Sequence, residues 1–380
     1  MTTVIVGTRD TSRWPEFAGS TWVRLQYLLG LRRLGVDAYW VDRLGPVDPH
    51  QHHHSLDYLT GRFDRTARDF GLGDRYCIEY NGGERYFGLS AGDYRDLVGA
   101  ADLLLNISGH LPPDSPLMRI PRRAFIDVDP GFTQIWAHQA DVGLERQNFF
   151  FTIGQNVGGP DFTIPLRGVA WTPMLPPVAL EHWPASGDPA CQRFSTVADW
   201  RGSQYAVFKG KSYSGKRREF LRFLILPRRT RQPLEPALLV GFTDSEDLEL
   251  LLGNKWVVHD PFQYAGDPQS YREFIRYSRA EFSVAKGGYV KSNSGWVSDR
   301  TACYLASGKP ALVQSTGFER CLPTGQGLLT FRTVEEAVAG IEAINGDYPA
   351  HSLAARRIAE ERFNSDVVLG HVLERVGLGG

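Results

Sequence analysis

Short apolar runs that stop at glycine or turn residues recur along this chain, and helically spaced apolar positions follow many of them. That pattern predicts alternating strands and helices. Val4 to Gly7 is the first such run. An amphipathic stretch from Ser20 to Leu34 follows, Gly35 closes it, and Ala38 to Val41 resumes as a strand, completing a β–α–β unit. Asp102 to Ile107 and Ala124 to Val128 read as further strands. They end in Ser108-Gly109-His110 and Asp129-Pro130-Gly131, so their C-terminal ends open onto loops. Ligands of open parallel sheets bind at such ends. Pro46 to Arg75 is polar and carries His50, His52, His53 and His54 without acidic or thiol ligands at useful spacing, so it reads as an exposed loop or partly helical insertion.

Prolines 173, 176, 177, 184 and 189 concentrate between Trp171 and Ala190 and predict a stiff linker. The alternation then restarts. Strands are expected at Arg193 to Val197, Leu238 to Gly241, Lys255 to His259, Glu281 to Ala285, Ala311 to Gln314 and Leu328 to Thr330. Helices are expected at Lys216 to Leu224, Pro268 to Tyr277, Ser298 to Ala306, Val334 to Ile344, His351 to Arg362 and Asp366 to Val376. The division that follows is a first domain over 1–172, a linker over 173–190, a second domain over 191–360, and a terminal helix in 361–380 expected to pack back on the first domain. The fold class is α/β, with two Rossmann-like domains facing each other across a cleft.

Composition acts mainly by exclusion. A chain of 380 residues with a formal charge of −1 lacks the basic footprint of sequence-independent nucleic-acid binding. No apolar stretch is long enough to span a bilayer, and the opening MTTVIVGTRD reads as a strand rather than a secretory leader. Cys77, Cys191, Cys303 and Cys321 are scattered, which argues against zinc or a disulfide framework and for a reducing cytoplasm.

The chemistry concentrates between Glu281 and Glu319. A strand leads to Lys286-Gly287-Gly288, then to Asn293-Ser294-Gly295-Trp296, a helix opening at Ser298-Asp299-Arg300, a Gly308-Lys309-Pro310 stop, a second strand, and Thr316-Gly317-Phe318-Glu319. Glycine lets backbone approach a pyrophosphate, and Ser298 as N-cap leaves the first helical turn's amides and positive dipole end facing an anion. This segment resembles the C-terminal donor-binding region of bacterial GT-B glycosyltransferases of the family 1 and family 4 kind. The resemblance is firm from Glu281 onward and extends to the first half only as β/α pattern. It implies transfer of a sugar from a nucleoside-diphosphate sugar to an acceptor. One departure matters: the position of the family's ribose-binding glutamate is Cys303, with Asp299 one turn earlier on the same face, and Gly295 stands where retaining members carry another glutamate.

On that resemblance the donor-side candidates are Gly19, Lys286, Ser294, Gly295, Trp296, Ser298, Asp299, Arg300, Gly317, Phe318 and Glu319. Lys286 and Arg300 would neutralise phosphates, or else be solvated charges or pair internally with Glu281. Trp296 would stack on a base or wall the sugar, or serve as core. Gly317, Phe318 and Glu319 would meet sugar hydroxyls or form a plain turn. Gly19-Ser20 would approach phosphate or cap a helix. Lys216, in a basic patch otherwise read as solvated surface, is a further phosphate candidate. For the base, Asp129, Asp127, His110 and Asp10 all stand at strand ends, and Asp129 competes with a role in capping the Pro130-Gly131 turn. No cofactor or metal is expected, and the partners are a nucleotide-sugar and a small-molecule or glycan acceptor. The rival readings are a nucleotide-sugar epimerase and a catalytically silent sugar-nucleotide-binding protein.

Overall fold

The computed structural model describes residues 1–48, 54–186, 190–202 and 204–379; His50, His52 and His53 of the expected loop lie outside them. The first lobe runs β1 (Thr3–Arg9), α1 (Ala18–Arg33), β2 (Asp37–Leu44), α2 (Leu56–Asp69), β3 (Tyr76–Tyr80), β4 (Arg85–Gly88), α3 (Ala91–Ala100), β5 (Leu103–Ile107), β6 (Arg122–Asp127), α4 (Phe132–Trp136), β7 (Phe149–Thr152) and β8 (Thr172–Pro173). These strands form one sheet in the order β4-β3-β2-β1-β5-β6-β7-β8, parallel except for β4. The all-apolar centres of β1 and β5 are buried on both faces, as a parallel sheet covered by helices requires.

The second lobe contains β9 (Phe194–Ser195), β10 (Val197–Asp199), the hairpin β11 (Ala206–Phe208) and β12 (Lys211–Tyr213), α5 (Arg217–Phe220), β13 (Ala237–Leu239), α6 (Ser245–Gly253), α7 (Pro261–Ala265), α8 (Pro268–Arg276), β14 (Ala280–Ser283), α9 (Gly287–Ser292), α10 (Asp299–Ala306), β15 (Ala311–Gln314), β16 (Leu328–Phe331), α11 (Val334–Gly346) and α12 (Tyr348–Ile358). Its parallel sheet has the order β16-β15-β14-β9, and β10, which continues β9, pairs with β13. The fold is α/β, two Rossmann-like units facing each other across a cleft. After α12 the chain tightens into a π turn and returns as α13 (Ser365–Arg375), which lies on α1 of the first lobe, with Arg33 Nε 2.7 Å from Asp366 Oδ2.

Several local expectations need correction. Lys255 to His259 is not a strand; it touches β13 at a single bridge, Ala237 to His259, before Pro261 starts α7. The stretch from Pro46 to Arg75 is partly helical, as one of its two readings expected: it contains α2, capped by Ser55, whose Oγ accepts from Tyr58 N at 3.2 Å. The expected helix from Lys216 is one α-turn followed by a 3-10 turn. α1 begins at Ala18, so Ser20 lies inside the helix rather than capping it.

The lobes are held close. α1 buries side chains nearly all round, as a helix packed on both sides must. Trp22 Nε1 donates to Pro268 O at 2.8 Å, and the Trp183 ring lies 4.6 Å from Trp22. Val178 and Phe363 to Ser365 exchange backbone hydrogen bonds where the chain crosses between lobes twice. Gly288 of α9 permits one close approach: a Cβ there would sit 2.2 Å from the Phe132 ring of α4.

Candidate active site

The carboxyl end of β6 presents two aspartates in opposite circumstances. Asp127 is fully buried and accepts from Thr133 Oγ1 (2.6 Å), Gln134 Nε2 (2.9 Å), Thr152 Oγ1 (2.8 Å) and Asp129 N (3.0 Å). Burial raises its carboxyl above the ordinary range against these hydrogen bonds. It holds the turn together and has no path to a substrate, which corrects its reading as a base. Asp129 faces the other lobe. Its Oδ1 takes Lys286 Nζ at 2.9 Å and the Tyr289 hydroxyl, and Gln204 Nε2 approaches Oδ2 at 3.5 Å. Burial would raise this carboxyl, but Lys286 and Tyr289 outweigh it and hold it below the usual range. Asp129 is therefore an anion at neutral pH, with little tendency to take a proton.

His110 follows the end of β5 and stands in the wall of a cavity of about 320 Å³ lined also by Arg9, Ser108, Phe125, Asp129 and Trp136. The surrounding protein lowers its pKa, Arg24 and Arg9 push the same way, and Asp129 opposes them. The imidazole is thus neutral near pH 7 and open to the cavity, the state in which it accepts a proton. Asp10, in contrast, is occupied. It accepts from Arg13 Nε (3.0 Å) and Gly45 N (3.1 Å) and lies 3.4 Å from Arg9 Nε, so its position at a strand end serves the loop.

In the second lobe most of the expected donor residues are packed away. Arg300 is buried; its Nε donates to Glu281 Oε1 (2.7 Å), Nη1 to Val197 O (2.8 Å) and Nη2 to Ser283 Oγ (2.7 Å). Its fork is spent on an internal ion pair, which corrects its reading as a phosphate clamp. Ser298 caps α10 as expected, accepting from Arg300 N at 3.2 Å, but it is itself buried, and Asp299 brings a carboxylate to the same first turn. The positive end of α10 is already met by that residue. Burial raises the Asp299 carboxyl, with Arg300, its own backbone amide and Arg24 pulling the other way. Cys303 is buried against Gln26 of α1, whose Nε2 lies 3.5 Å from its sulfur.

The glycine-bearing loops are interlobe joints. Ser294 O accepts from Asn156 N (3.0 Å) and Gly295 O from Gln155 N (3.2 Å). Gly295 has φ +70°, and a Cβ there would lie 2.7 Å from Asn156 N, so the joint needs glycine on both counts. Asn156 Nδ2 also donates to Asn293 O (3.0 Å) and Gly317 O (3.1 Å). Trp296 is stacked on Tyr289 at 4.4 Å and buried, which makes it core, and Phe318 is sealed completely. Glu319 accepts from Ser315 Oγ at 2.6 Å and pairs with Arg332. Gly19 lies against the Tyr271 ring of the second lobe, 3.3 Å from where its Cβ would be.

Of the two cations expected on the donor side, Lys286 is the one that meets the facing lobe, at Asp129. With it come residues that no sequence motif flagged. Tyr289 reaches Asp129 only because α9 turns back toward β6. Arg24 of α1 donates through Nη1 to Ser20 O (3.0 Å) and Oγ (2.8 Å), while its Nε is buried without a partner. Burial lowers its pKa, with Asp42, Asp299, Tyr27 and Asp129 pulling the other way. Its spacing from Ser20 was the one available signal. Lys216, inside the lobe, donates to Val284 O; burial, Arg300 and Lys286 push its pKa well down. The β11–β12 hairpin spans the cleft, with Gln139 Nε2 donating to Val207 O at 2.6 Å. Among the described residues no group of three metal-ligating side chains is assembled, and no helix is long and apolar enough to cross a membrane.

No protein-family model matches the chain, and no curated protein matches it in sequence. Solved structures do match. The α-glucosyltransferase in complex with UDP is 9% identical with a TM-score of 0.61, over 99% of this chain and 100% of that one. Anabaena HepE in complex with UDP and glucose is 11% identical with a TM-score of 0.58, over 99% of each chain. Sucrose-phosphate synthase from Thermosynechococcus elongatus is 10% identical with a TM-score of 0.56, over 100% of each. The first of these enzymes is also known bound to UDP and a 13-mer DNA. At these identities the likeness defines the architecture: the chain has the GT-B fold of these glycosyltransferases.

Proposed function

We propose that this protein transfers a sugar from a nucleoside-diphosphate sugar to an acceptor hydroxyl or amine, without a metal. The observation that carries this reading is the Lys286–Asp129 pair, a cation and a carboxylate from opposite lobes meeting at the carboxyl ends of β14 and β6. Such a pair is exchangeable: a donor phosphate can replace Asp129 on Lys286, and Asp129 is then free for sugar or acceptor hydroxyls. In the transfer step the bond from the anomeric carbon to the phosphate oxygen breaks and the bond to the acceptor oxygen or nitrogen forms. The nucleoside diphosphate leaves with charge met by Lys286, and the acceptor proton passes to His110. His110 is favoured over Asp129 because it is neutral and unencumbered, whereas Asp129 is held as a stabilised anion. The cavity beside His110 takes the acceptor, and the near-neutral chain favours a small molecule or glycan over nucleic acid. Structural neighbours that bind UDP or UDP-glucose support a uridine nucleotide as donor.

The test is release of nucleoside diphosphate from a panel of UDP-, dTDP-, GDP- and ADP-sugars with and without candidate acceptors. Acceptor-stimulated release that Lys286→Ala abolishes is the expected result; a panel with no release in any combination overturns the reading. The buried Cys303, at the position matched to a ribose-binding glutamate, favours a second reading of a binding protein without turnover. That reading predicts calorimetric binding of the same donors and no release.

A further inference from the structure

Between α2 and the start of α8 lies a cavity of about 470 Å³ that shares no lining residue with the cavity at His110. Both lobes build it: Arg62 and Arg65 reach it from α2, Arg272 from α8 and His182 from the segment that crosses between the lobes. Arg62 and Arg65 are three positions apart and share a helix face. The nearby acid on that helix, Asp64, is taken by Arg68, and among the described residues Arg62 and Arg65 form no ion pair. Arg272 donates to Gln269, but its Nε is buried without a partner. The carboxylates in the lining are Asp69 and Asp267. Asp267 is committed to capping α8, its Oδ1 accepting from Gln269 N (2.9 Å) and Ser270 N (3.0 Å) and its Oδ2 from Ser270 Oγ (2.9 Å). The floor is aromatic, with Phe70 5.1 Å from Trp22 and 5.6 Å from His182.

Arg62, Arg65 and Arg272 outnumber the carboxylates of the lining, Asp69 and Asp267, so the hollow favours an anion. The planar guanidinium forks match phosphate oxygens, and the volume suits a small ligand. We propose that this cavity binds a phosphate-bearing small molecule, which latches the lobes by joining Arg62 and Arg65 of one to Arg272 of the other. The site is separate from sugar transfer and stands whether or not the transferase reading does.

The experiment is calorimetry of the full chain with inorganic pyrophosphate, paired with hydrogen–deuterium exchange. In the Lys286→Ala background, where diphosphate at the cleft no longer contributes, the chain should still bind, and adding the Arg62→Ala/Arg65→Ala pair should weaken that binding by about tenfold or more. Arg272→Gln, on the other lobe, should reproduce the loss independently. Bound pyrophosphate should slow exchange in both 62–70 and 267–272. In that background, a chain that fails to bind pyrophosphate, or binding that survives removal of both arginines, overturns the proposal.

Discussion

Arg300–Glu281 and Lys286–Asp129 are both cation–carboxylate pairs anchored near β14, yet they belong to different kinds of region. The first joins elements of a single lobe. Its carboxylate is sealed from solvent, and its guanidinium makes further bonds to Val197 O and Ser283 Oγ. The second joins two lobes, with about a fifth of each side chain open. Closed on all sides, a charge pair is a fastening whose rupture leaves an uncompensated buried charge. Partly open and bridging a cleft, the same chemistry becomes a seat that an incoming anion can contest.

The largest effect should separate these roles most clearly. Arg300→Met should cost about 3–5 kcal/mol of stability by stranding Glu281, read from denaturant midpoints, while the folded remainder keeps turnover within a few-fold. Lys286→Ala should lower kcat/KM by about 100- to 1000-fold with a smaller shift in the midpoint. A reversal of these two outcomes would dissolve the distinction.

His110→Gln should reduce kcat by about 100-fold. Because the wild-type imidazole must be neutral to accept a proton, and its pKa is lowered from the ordinary value of 6.5, the rate should fall only as pH drops below that value. The variant should lose that acidic limb. A variant with an unchanged pH profile would return the base to Asp129. Asp127→Asn should cost about 1–3 kcal/mol by setting an amide donor against the surrounding donors, with the rate of the folded protein retained. An activity loss at Asp127 beyond that of His110 would mean that the buried aspartate takes part in chemistry after all.

The strands at Val4 to Gly7, Asp102 to Ile107 and Ala124 to Val128, the α10 cap at Ser298, and the α/β class with two facing units were legible in the chain. Apolar runs, capping and turn residues act over a few positions, and those positions are adjacent in sequence. The ends of β5 and β6 stood out as candidates because parallel strands send their ligands to such ends. The fate of each charge and glycine was not legible. Lys286 and Arg300 carry the same charge in the same segment, and only the approach of Val197 and Ser283 in one case, and of β6 in the other, makes one internal and one exposed to the cleft. Gly295 and Gly317 look alike whether a phosphate or the Asn156 loop comes close to them. Such choices rest on contacts between residues far apart in the chain, which exist only after two sheets and α1 have packed together. Folding, not composition or spacing, assigns those partners.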